Sequence, residues 1–330
     1  MMRVLTGAAA LALLASLAQA QDGPLAGETI TYIIATEPGG GYDTYGRLIG
    51  TYLARHLGAE VVFQNLPGAG HIIGANTLFA SEPDGTTIGT FNTGLIYSQL
   101  IGAEGVQFDL NEMSWIGKAA SDPRVMVTSA QSGFDTFEAL RAAPGPHLFA
   151  AAGVGSASYN ETRLLAHALG LPIEIVAGFN GNEGELAMMR GEVVGQVASE
   201  SSIRPFVEQG NGQIVLSIGG EGQPQAIDLA EGETGQGIVN LISANAQIGR
   251  LTAAPPGVPE DILAELRRAY DAALSDPELL AEAEALGIPI EPAGGAEVAE
   301  LIAAALSQTP ETLELVEAAL GAEVELTTVT

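Results

Sequence analysis

From Thr29 to about Gly219, short apolar β-rich runs alternate with helical patterns, which restricts the chain to largely parallel sheets covered on both faces by helices. Thr29 to Ala35 reads as a strand. Asp43 to Leu57 reads as a helix with Leu48, Ile49, Tyr52, Leu53 and Leu57 on one face and Gly58 as its stop. A strand over Glu60 to Asn65, a helix over Ile72 to Ser81, the turn Glu82-Pro83-Asp84-Gly85 and a strand over Thr86 to Asn92 follow. Further strands are expected at 125–129, 147–152, 173–179, 194–200 and 213–218, with helices at 158–169 and 183–190 among them. After Gly219 the composition changes. Residues 220–240, rich in Gly, Glu and Gln, read as loop, and Ala254-Pro255-Pro256-Gly257 is a second break. Four helical segments follow at 259–274, 277–286, 296–305 and 310–320, with Asp276-Pro277 as an N-cap and a proline at N1.

The first twenty residues are of another kind. Arg3, the apolar stretch Val4 to Leu17 and the small-x-small sequence Ala18-Gln19-Ala20 predict a cleaved secretory signal over 1–20. The apolar run is short for a membrane span, and no Cys follows it to carry a lipid. The mature chain is therefore expected to be exported and soluble. The full sequence of 330 residues carries 12 Lys+Arg against 40 Asp+Glu, a net charge of −28, which excludes the usual kind of nucleic-acid binder. The absence of cysteine removes disulfides, thiolate nucleophiles and thiolate-bound metals together. So acidic a surface opposes the approach of an anion, so an anionic ligand needs local groups that overcome the global field.

Three glycine-rich strand-to-helix loops offer such groups. In Glu37-Pro38-Gly39-Gly40-Gly41-Tyr42-Asp43 the glycines let the backbone turn its N–H groups inward, and the helix that follows adds the positive end of its dipole. Asp43 reads as the helix N-cap, with direct ligand contact as the alternative. Asn65-Leu66-Pro67-Gly68-Ala69-Gly70 repeats the design. Gly68, Gly70 and Gly74 form only a loose variant of the dinucleotide fingerprint, because Pro67 interrupts the turn and the acids Glu82 and Asp84 belong to a later one. In the third loop, Gly153-Val154-Gly155-Ser156-Ala157-Ser158, Ser158 and Glu161 form a capping box, which leaves the Ser156 hydroxyl free for a ligand. Glu200, at the end of an apolar strand, would face the crevice at the carboxyl end of a sheet.

Enzymatic constellations are missing. There is no G-x-S-x-G, no G-x-x-x-x-G-K-[ST] and no H-E-x-x-H. His56, His71, His147 and His167 stand apart from one another and read as helix-end or packing residues, with His71 near enough to the second loop to be of interest. No cofactor or metal is expected.

Taken in order, the chain resembles the tripartite tricarboxylate transporter substrate-binding proteins, the Bug receptor family. The resemblance rests on Pro38-Gly39-Gly40-Gly41-Tyr42-Asp43, the 65–70 loop, Pro83-Asp84-Gly85, Asn92-Thr93, Gly153-Val154-Gly155-Ser156, Gly178-Phe179-Asn180-Gly181, Gly191-Glu192-Val193, Ala254-Pro255-Pro256-Gly257-Val258-Pro259, Asp276-Pro277 and Leu286-Gly287-Ile288. It implies a periplasmic, monomeric α/β clamshell, each lobe a mainly parallel sheet flanked by helices, with the C-terminal helices on lobe one. Lobe one would comprise 21–121 and 246–330, and lobe two 122–245. The resemblance further implies a small organic acid between the lobes, held by backbone N–H groups, small hydroxyls and water without an obligatory arginine, and delivered to membrane permease subunits. The expected contacts are Pro38, Gly39, Gly40, Gly41, Tyr42, Asp43, Gly68, Ala69, Gly70, Asn92, Thr93, Gly153, Gly155, Ser156, Asn180 and Glu200. Three positions depart from the family: Tyr42 replaces a small polar residue, a basic residue is missing near 178, and Gly195 stands in place of an acid. The alternatives are a clamshell sensor for a signalling partner and an enzyme that holds a nucleotide on its glycine loops.

Overall fold

The computed structural model describes residues 23–321, so the expected signal segment lies outside the described residues. The chain opens with β1 (Thr29–Ile34), α1 (Gly41–Leu57), β2 (Glu60–Asn65), a short 3-10 turn (Ala69–His71), α2 (Ile72–Phe79), β3 (Thr87–Thr90), α3 (Gly94–Leu100) and β4 (Ser114–Lys118). It then runs through β5 (Arg124–Ser129), α4 (Phe137–Ala142), β6 (His147–Ala151), α5 (Ala157–Leu169), β7 (Ile173–Ala177), α6 (Glu183–Arg190), β8 (Gly195–Ser199), α7 (Glu200–Glu208), β9 (Gly212–Ile218), α8 (Ala226–Leu229) and α9 (Gly232–Gln247). It closes with β10 (Leu251–Ala254), α10 (Glu260–Leu274), α11 (Pro277–Leu286), β11 (Ala293–Gly294), α12 (Gly295–Leu306) and α13 (Pro310–Gly321).

The strands form two sheets, ordered β11-β4-β10-β3-β1-β2 and β7-β6-β8-β5-β9. The expected parallel pairing holds for β1 with β2 and β3, and for β6 with β7 and β8. β5 and β10 instead run antiparallel to their neighbours, so both sheets are mixed. These are the first strands after the chain passes from one sheet to the other, and each enters its new sheet against the direction of the strands beside it. Hydrophobic periodicity reports that a segment is a strand but not which way it points.

Each sheet is buried by helices whose apolar stripes face it. Tyr45, Leu48, Ile49, Tyr52, Leu53 and Leu57 of α1 pack with Tyr32, Leu266, Tyr270 and Leu279. At Gly50 the stripe approaches the sheet so closely that a Cβ would sit 2.6 Å from Phe63 Cε1 and 2.8 Å from Tyr32 Cδ2. Gly50→Val is therefore expected to lower stability by about 1–3 kcal/mol through overpacking. Urea unfolding checks this, and an unchanged midpoint would contradict it.

Two expectations are corrected. The loop expected over 220–240 holds over 220–225, but α8 takes up Ala226–Leu229, and α9 takes up Gly232–Gln247 and buries Ile238, Val239, Leu241, Ile242 and Ala246. Gly232 and Gln236 are exposed, and Gly235 is buried without adding an apolar side chain, which hid the apolar stripe. The C-terminal helices also divide. α10, α11 and α12 pack on α1, β4 and β11 of the first sheet's half, whereas α13 returns to α5 and α9 and buries Val316 beside Leu164 and Leu165.

Candidate functional site

The first glycine loop turns at Gly39, with φ 91°, and Gly40 is the N-cap of α1. Asp43 is not the cap. It is the third helical residue, and its carboxylate accepts the Gly39 N–H at 3.0 Å, Arg47 Nε at 2.9 Å and Asn65 Nδ2 at 2.9 Å. Burial opposes ionisation of Asp43, but these hydrogen bonds outweigh it and hold the carboxyl below its ordinary pKa. Asp43 thus braces the loop from behind. The first-turn N–H groups of Gly41 and Tyr42 have no intrahelical acceptor, and both residues line a cavity of about 140 Å³ between the two sheets.

The second loop is left-handed through Gly68, Ala69, Gly70 and His71, with φ of 118°, 47°, 63° and 81°. A Cβ at Gly70 would lie 2.7 Å from the carbonyl oxygen of Val154 and 2.9 Å from Ser156 N. Backbone of the third loop therefore fills the space that a pyrophosphate would need above the glycines. Gly68, Ala69 and Gly70 do not line the cavity, but His71 does. Its Nδ1 donates to the Ala35 carbonyl at 2.6 Å, and burial lowers its pKa although that bond opposes the shift, so Nε2 is left as an acceptor.

In the third loop the two serines exchange roles. Ser156 is the N-cap of α5 and accepts the Tyr159 N–H at 3.3 Å, while Ser158 Oγ accepts the Ala152 N–H at 3.0 Å. The expected capping box does not form, because Glu161 turns inward to the buried Arg124. Both serines line the cavity, whereas Gly153 and Gly155 shape the turn behind it. Asn92 and Asn180 line it as well, Thr93 is buried at the start of α3, and Pro38 and Gly39 border an adjoining depression. Glu200 turns away to pair with Arg204 at 2.8 Å, and Ser199 and Ser202 line the cavity in its place.

Two arginines complete the wall. Arg124, at the start of β5, is buried against Glu161 and donates to Ser199 Oγ at 2.5 Å. Burial works against its charge, but Glu161 and Asp122 outweigh that and keep it ionised. Arg250, just before β10, is 2% exposed and is ion-paired with Asp122, with Nη2 also donating to Ser201 at 3.0 Å and Ser202 at 2.9 Å. Its Cζ lies 4.4 Å from the Tyr42 ring centroid and 4.8 Å from that of Tyr45. Its Nε and Nη1 are buried and have no hydrogen-bond partner within the described residues. Sequence reasoning missed both arginines. The available signal was two of only 12 basic residues standing directly before apolar strands. Tyr42, the bulky departure from the family pattern, is explained by its ring covering Arg250.

Two mixed sheets flanked by helices with a polar cavity between them are the architecture of periplasmic binding proteins. MatC from Rhodopseudomonas palustris, solved with bound malate, superposes with a TM-score of 0.70 at 22% identity, covering 88% of this chain and 99% of that one. R. palustris Rpa4515, solved with adipate, superposes with a TM-score of 0.72 at 17% identity, covering 89% and 97%. A protein encoded in the tcbD-tcbE intergenic region of a Pseudomonas species is 28% identical over 299 residues, 89% of this chain and 87% of that one. BugT of Bordetella pertussis is 27% identical over 192 residues, 55% of this chain and 58% of its own. Residues 46–311 match the family model described as the tripartite tricarboxylate transporter family receptor, and the chain belongs to that family of solute-binding receptors. No helix among the described residues is long and apolar enough to cross a membrane.

Proposed function

We propose that the chain is exported through cleavage after Ala20, captures a small organic acid in the cavity between the sheets, and delivers it as a monomer to the permease subunits of a tripartite transporter. The reading divides the mature protein into one lobe of 21–121 and 246–330 and another of 122–245, with α13 returning from the first to brace the second. The segregation of strands before 119 and after 250 into one sheet supports that division.

One observation carries the ligand class: the free N–H groups that open α1 stand beside a buried arginine with two unpartnered nitrogens, and both line one cavity. Charge-assisted hydrogen bonds to a carboxylate there contribute on the order of 1.5–3 kcal/mol each, whereas the repulsion from distant surface acids is screened beyond about 8 Å. Local donors win. Malate and adipate in the related structures are acids of the same class.

A thermal-shift screen of the mature protein against mono-, di- and tricarboxylates and aromatic acids tests this. Ligand at ~100 times its Kd stabilises the folded state by about 2.7 kcal/mol, so a bound acid raises the melting temperature. A screen in which no acid raises it, while an uncharged solute does, would overturn the carboxylate reading.

A further inference from the structure

The cavity holds more unpaired acceptors than an acid-binding site needs. Arg124 and Arg250 are already matched by Glu161 and Asp122. Glu37 and Glu185 also line the cavity, and neither makes an ion pair or a hydrogen bond among the described residues. Glu185 stands on α6, where the neighbouring Gly184 packs on the Gln196 side chain of β8, and Gln196 lines the cavity too. Arg250 is held from α1 and α7 instead, so the free cationic nitrogens and the free carboxylate are fixed by different elements. Burial alone pushes the Glu185 carboxyl up to about 7, with neither arginine drawing it down. His71 adds the acceptor Nε2 to the same lining. A second ligand carboxylate would meet these acceptors with no proton to offer. A ligand hydrogen-bond donor would satisfy them.

We propose that the ligand is an acid that carries, apart from its carboxylate, a hydrogen-bond donor, and that Glu185 is the residue that selects it. This rests on the reading of the cavity as an organic-acid site and narrows it: an ω-amino acid or the monoamide of a dicarboxylic acid fits, and the corresponding dianion is rejected. The restriction comes from Glu185 in its ionised form, so it holds above the raised pKa of about 7 and relaxes below it, where the protonated carboxyl can donate to a second ligand carboxylate.

The test is calorimetry of the mature protein at pH 8, where Glu185 is ionised. The probes are matched trios of increasing chain length: a dicarboxylate such as succinate, its monoamide succinamate, and the ω-amino acid β-alanine. At the length that binds, the donor-ended acid is expected to bind at least tenfold more tightly than the dianion, because the second carboxylate meets a like charge at close range. In Glu185→Gln that ratio is expected to collapse to within about threefold. A half-buried carboxyl whose pKa is raised costs stability above its unfolded pKa, so this substitution removes a liability at pH 8 and leaves the fold intact. Glu37→Gln serves as the second variant and should change the ratio less. Tighter binding of the dianion by the unaltered protein, or the same ratio in Glu185→Gln, would overturn the selection while leaving the carboxylate site standing. Failure of every acid to bind would remove the site reading, and this inference with it.

Discussion

Arg250→Ala is expected to abolish binding of the acid and to destabilise the protein by about 3–5 kcal/mol, the cost of leaving a buried charge without its partner. The guanidinium neutralises Asp122, whose side chain is 5% exposed, and joins α7 to the strand that carries it back to the first sheet. The two effects can be separated. Arg250→Met with Asp122→Leu removes both charges and refills the volume, so denaturant unfolding should recover most of the lost stability. Binding should not recover, since the free Nε and Nη1 are gone. Recovery of affinity in the double variant would show that Arg250 holds the fold and not the ligand.

Gly41→Val should lower affinity by about two orders of magnitude and, by overpacking against Ser202 and Arg250, lower stability by about 1–3 kcal/mol. The backbone at Gly41 has no positive φ, so a side chain is conformationally allowed. Its Cβ, however, would overlap Ser202 Oγ of α7 and reach within 3.0 Å of Arg250 Nη2. Gly41 and Ser202 belong to elements flanking different sheets, and the collision arises only where those elements approach one another. Ala substitution at Gly39, which has open space around it, separates contact from backbone effects: its φ of 91° makes it strain the loop without touching the other side. Calorimetry and urea unfolding on the same samples read both quantities. Unchanged affinity in Gly41→Val would mean that the approach of α1 to α7 is irrelevant to binding.

Most of the elements could be read from the chain because each signal was local. Gly58 ends α1 in a left-handed conformation, Asp276 caps α11 by accepting the Glu278 N–H, and the stripe from Leu48 to Leu57 faces the core. The direction of β5 and β10 was not local, since it is set by where the chain changes sheets. α9 was concealed because Gly235, Gln236 and Gly237 interrupt a stripe that begins only at Ile238. Of the candidate site, the glycine loops were legible as turns, and Gly40, Gly41, Tyr42, Asn92, Ser156 and Asn180 do line the cavity. The roles within the loops were not. Gly70 serves loop-to-loop packing, Asp43 and Glu200 are occupied by Arg47 and Arg204, and Ser158 replaces Gly155 at the wall. Arg124 and Arg250 stand 126 positions apart in sequence, and only the pairing of β5 and β10 into their separate sheets brings them to one cavity.

A ligand carboxylate is expected to be held jointly by the amino end of α1 and by Arg250. A crystal structure of the mature protein with its bound acid tests it most directly. The expected result is one ligand carboxylate within hydrogen-bond distance of the Gly41 or Tyr42 N–H and of Arg250 Nη1 or Nε. A carboxylate bound elsewhere in the cavity, with Arg250 still unpartnered, would contradict it.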